Sequence, residues 1–62
     1  MGKYNKELVQ LIREHYNINS REAEEYIDLF KNTNGGINHL NELLKIYGNS
    51  DKQIKKLLKW KQ

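Results

Sequence analysis

Apolar residues recur along this chain at spacings of three and four and nowhere alternate in twos, which predicts helices and no strands. Four helices emerge. The first runs from about Asn5 to His15 with Leu8, Leu11, Ile12 and Tyr16 as its inward stripe and Val9 beside it. The second opens at Asn19-Ser20, where Glu22 completes a capping box with Asn19 and Ile18 can pack on Ala23. Its stripe is Ala23, Tyr26, Ile27 and Phe30, and Glu24, Glu25 and Asp28 form a solvated opposite face. Asn32-Thr33-Asn34-Gly35-Gly36 predicts a turn, because two glycines in succession lose backbone entropy in a helix. The third helix carries Ile37, Leu40, Leu43, Leu44 and Tyr47 inward and ends at Gly48. The fourth starts at Ser50 with Gln53 as its capping partner and buries Ile54, Leu57 and Leu58. The expected fold is all-α, a compact bundle of four short helices forming one domain over residues 1–62, with Leu11, Ile27, Phe30, Leu40, Leu44 and Leu57 in its core.

Composition narrows the chemistry. A chain of 62 residues supports one core, and without cysteine it has no disulfide, no thiolate zinc site and no thiol nucleophile. Nothing supports secretion, and no apolar run approaches the roughly 18 residues of a membrane span, so a cytoplasmic protein away from membranes is expected. His15 and His39 stand far apart with no partner at helical spacing, so no metal site is expected. Ser20 and Ser50 sit where helix N-caps are expected, and Gly35-Gly36 is not followed by the Lys-Ser or Lys-Thr of a phosphate loop. With no nucleophile and base pair and no paired carboxylates, neither an enzyme nor a cofactor is expected.

The net charge of +3 is modest, and its distribution says more. Arg21 against Glu22, Glu24, Glu25 and Asp28 leaves residues 20–30 at −3, while five lysines against Asp51 leave residues 48–62 at +4. On an ideal helix Lys52, Lys55, Lys56 and Lys59 fall in one sector of about 100°, opposite Ile54, Leu57 and Leu58. Like charges at i, i+3 and i+4 repel by a few tenths of a kcal/mol per pair, so about four on one ridge favour an anionic partner. A solubilising face is the competing explanation. Trp60, at the edge of the apolar stripe, either closes the core or stacks on a partner.

The stretch from Leu43 to Lys59 resembles the helix-turn-helix of DNA-binding domains. Leu44, Gly48, Ile54 and Leu57 match that family's spacing of a buried residue, a turn glycine four positions later, and aliphatics six and nine positions beyond the glycine. The resemblance implies contacts from the exposed residues of the second helix, Ser50, Asp51, Lys52, Lys55, Lys56 and Lys59, with Lys61 continuing the basic end. A second resemblance covers residues 5–47: an apolar helix ending in an aromatic, then Ser-Arg-Glu-Ala, a glycine turn and a helix with paired leucines, similar to ubiquitin-associated three-helix domains. It implies a protein-binding surface at Tyr16, Leu43 and Leu44. The sequence thus leaves two readings. One is a basic helical module that binds nucleic acid, DNA more than RNA, and the other is a protein-interaction module, an inhibitor or accessory subunit. Only two arginines among eleven basic residues argue against strong base readout, because lysine lacks the bidentate fork.

Overall fold

Asn5 starts the helical chain by accepting the N–H groups of Glu7 and Leu8 on its side-chain oxygen, at 2.8 and 3.3 Å. From there the computed structural model, which describes residues 2–60, runs through α1 (Lys6–Tyr16), α2 (Ser20–Asn32), α3 (Gly36–Ile46) and α4 (Asp51–Leu57). There is no strand among the described residues. Each helix packs on the next in chain order, giving a body of 26 × 24 × 22 Å. Its radius of gyration is 10.6 Å, close to the roughly 10.5 Å of a compact chain this long.

The connections follow from local chemistry. α1 ends on Asn17 in the left-handed region at φ 57°, and the Ile18 N–H returns to the Arg13 carbonyl at 3.0 Å. Asn19 and Glu22 then form the reciprocal capping box of α2, each side chain accepting the other's backbone N–H. The cap of α2 is therefore Asn19, and Ser20 is the first helical residue rather than a cap. Between α2 and α3 the chain turns so tightly that a Cβ on Gly36 would lie 1.9 Å from the Phe30 carbonyl oxygen. Gly36 is buried, and only a residue without a side chain lets the end of α2 and the start of α3 approach this closely. α3 closes at Gly48, φ 88°, where the Gly48 N–H meets the Lys45 carbonyl at 2.9 Å and the Asn49 N–H meets that of Leu44 at 3.1 Å. This paired bonding is a Schellman turn.

The core is one aliphatic line per helix. Leu8, Ile12, Ala23, Ile27, Leu40 and Leu44 are fully buried, and Tyr4, Leu43, Ile54 and Leu57 nearly so. Each fully buried leucine or isoleucine contributes roughly 1.5–3 kcal/mol. The buried line is narrower than the sequence stripes. Leu11, Tyr16, Phe30 and Leu58 are only half-buried against it, while Tyr26 and Ile37 are each 37 % exposed and Tyr47 46 %. In so small a body, residues on the shoulder of each stripe reach only the rim of the core.

Both ends of the described chain clasp α2. Tyr4, one turn ahead of Leu8, is buried and donates its hydroxyl proton to Asp28, whose carboxylate also pairs with Lys3 at 2.9 Å. Trp60 meets the Tyr4 ring edge-on at 5.0 Å, and the Lys31 ammonium lies 5.7 Å from both ring centroids, within cation–π range. Trp60 thus closes the core. α4 ends at Leu57, so Lys59 lies beyond the helix and not on its ridge.

Candidate nucleic-acid interface

α4 has seven residues and owes its place to both ends of its sequence. Ser50 and Gln53 form a capping box: the Ser50 hydroxyl accepts the Gln53 N–H at 3.2 Å and the Gln53 side chain accepts the Ser50 N–H at 2.8 Å. Ile54 and Leu57, 4 % and 6 % exposed, fix which face looks inward. The opposite face follows from these two. Lys52, Lys55 and Lys56 are exposed, and none has a hydrogen-bond or ion-pair partner among the described residues, where the one ion pair is Lys3 with Asp28. Lys59 is exposed two residues past the helix, and Lys61 lies outside the described residues. Ser50, also a candidate contact, is engaged as the cap.

The residues proposed for a protein-binding surface separate. Leu43 and Leu44 are buried at 5 % and 0 %, so they hold the core and present no surface. Tyr16 is half-buried; its hydroxyl stands 3.4 Å from His39 Nε2, and burial, followed by the neighbouring Tyr26, pushes its pKa up. Around it runs a strip of rings that periodicity had assigned partly to the core. Tyr47 meets His15 at 5.6 Å, His15 meets Tyr16 at 4.7 Å, Tyr16 meets Tyr26 at 4.9 Å, and Phe30 meets His39 at 5.0 Å. The Tyr47 hydroxyl also lies 2.9 Å from His15 Nδ1. Beyond this strip, Leu29 and Ile46 are the most exposed aliphatics at 64 % and 78 %.

A groove of about 700 Å³ runs beside α1, with Val9, Leu11, Arg13 and Tyr47 in its lining. Arg13 Nε is buried there with no hydrogen-bond partner among the described residues. Neither Arg13 nor Tyr47 carried a signal in the sequence. Arginine on a helix reads as solvated, and Tyr47 fitted the inward spacing of α3. Among the described residues there is no cluster of three or more metal-ligating side chains and no helix long and apolar enough to cross a membrane. Comparison with family models, with curated proteins and with solved structures returned no match, so the site rests on its own geometry.

Proposed function

We propose that this protein binds nucleic acid, with DNA ahead of RNA, through the lysine face of α4. The observation that carries the reading is the set Lys52, Lys55 and Lys56, exposed on one short helix and unneutralised by any carboxylate among the described residues. Such a face is electrostatically unfavourable until phosphates replace its counterions. Two further features agree with it. The Schellman turn at Gly48 joins α3 to α4 through four residues, in keeping with the helix-turn-helix spacing of Leu44, Gly48, Ile54 and Leu57. Lysine without arginine on α4 suits backbone contact rather than base recognition. Amide NMR during titration with a short DNA tests the reading. Shifts gathered on residues 48–60 support it; shifts gathered on Leu29, Ile46 and the aromatic strip, obtained only with a protein partner, replace it. That second reading, a protein-interaction module, draws its support from the exposure of Leu29 and Ile46.

A further inference from the structure

Lysine meets phosphate as a point charge, and α4 spans only about 10 Å, so its lysines favour the backbone over the bases. An exposed ring precedes α4 in the chain. Tyr47 lies at the end of α3, across the Gly48 turn from α4 and five positions before Lys52. It is nearly half exposed yet held, with its hydroxyl on His15 Nδ1 at 2.9 Å and its ring edge-on to the His15 imidazole at 5.6 Å. A ring fixed in this way is a stacking surface that loses little freedom when a base lands on it. The same ring borders the groove beside α1, where Arg13 Nε has no partner among the described residues. Glu7, Glu14 and Glu24 also line that groove. Their charge keeps a phosphate out, while a neutral base can enter and offer a ring N–H, as thymine does, or an amino hydrogen to them.

Resting on the nucleic-acid reading of α4, we propose that the ligand is single-stranded: its phosphates lie along Lys52, Lys55 and Lys56, and one of its bases stacks on Tyr47 at the mouth of the groove beside Arg13. A duplex keeps its bases stacked on one another and offers Tyr47 no face. The acidic flank of α2, Glu22 and Glu25 beside Tyr26, confines the footprint to the Tyr47 end of the ring strip.

The test is fluorescence anisotropy with three probes of about eight nucleotides: oligo(dT), an abasic strand of equal length, and a duplex. Oligo(dT) is expected to bind about tenfold tighter than the other two, as expected for one stacked base. Tyr47→Ala should lower oligo(dT) to the abasic level without changing the salt slope, and Tyr47→Trp should restore it; circular dichroism confirms that both variants fold. Equal affinity for oligo(dT) and the abasic strand, or an unchanged ratio in Tyr47→Ala, overturns the inference. If the duplex binds as tightly and depends on the α4 lysines, the reading of α4 stands and the single-strand inference falls. If no probe binds, both fall.

Discussion

Two glycines and one tyrosine show how single residues set this molecule. Gly36 is excluded from carrying a side chain by the Phe30 carbonyl, so Gly36→Ala forces α2 and α3 apart and should cost about 2 kcal/mol or more in a denaturant melt. Gly48 has open space around it, and its constraint is the positive φ alone. Gly48→Ala should therefore cost less, about 1–2 kcal/mol. Equal losses at the two sites would contradict this distinction. At Tyr4 the hydroxyl pKa is pushed from 10.0 to about 12, by burial first, then by its hydrogen bond to Asp28 and the charges of Asp28 and Glu24. The folded chain holds this proton more tightly than the unfolded one, so the contribution is complete below pH 10.0 and is lost as pH rises toward about 12. Two of the four tyrosines, Tyr4 and Tyr16, should titrate late in a tyrosinate absorbance titration, and Tyr4→Phe should remove one of those late steps. Asp28 runs the other way: the hydrogen bond from Tyr4, then that from Lys3, hold its carboxyl below its ordinary 3.8. Its contribution is present above that value and is lost as pH falls below it.

At the scale of the helix, features written in adjacent residues were legible and features set by distant ones were not. The capping boxes Asn19–Glu22 and Ser50–Gln53 form as expected because side chain and backbone N–H lie three residues apart. Periodicity likewise places Leu40, Leu44, Ile54 and Leu57 inward. It cannot distinguish the centre of a stripe from its shoulder, which is why Tyr26, Ile37 and Tyr47 were expected inside and lie at the rim. Tyr4 was missed because it precedes α1, although it extends the line of Leu8 and Ile12 by the same step of four. Lys59 falls off the ridge because α4 ends at Leu57, two residues short of it, and the Trp60–Tyr4 contact beyond that end is long-range, so no local pattern announces it. The lysine face was legible as charge; the hold of His15 on Tyr47 was not. Ser50→Ala should cost about 1 kcal/mol and fray α4, weakening DNA binding without removing a contact. Ser50→Asn keeps a cap and should retain affinity; if it binds as poorly as Ser50→Ala, Ser50 touches the ligand directly.

The whole molecule is a small aliphatic core carrying an uneven charge, acidic along α2 and basic at α4. With a total stability of about 3–9 kcal/mol for a chain of this length, Leu44→Ala, which empties a fully buried site, should remove about 3 kcal/mol and lower the melting temperature sharply. The lysines of α4 stand outside that balance. Their exposed side chains make no hydrogen bond or ion pair within the described residues, so their loss should alter binding and leave the melt nearly unchanged. The most direct test is the salt dependence of DNA binding. If Lys52, Lys55 and Lys56 neutralise about three phosphates, log K should fall against log salt with a slope of about −2.1 on a single strand or about −2.7 on a duplex. The Lys55→Ala, Lys56→Ala double variant should weaken binding to every sequence and flatten that slope by about 1.4 or about 1.8. A double variant that binds as tightly as the parent, at the same slope, would contradict the assignment of α4 as the nucleic-acid interface.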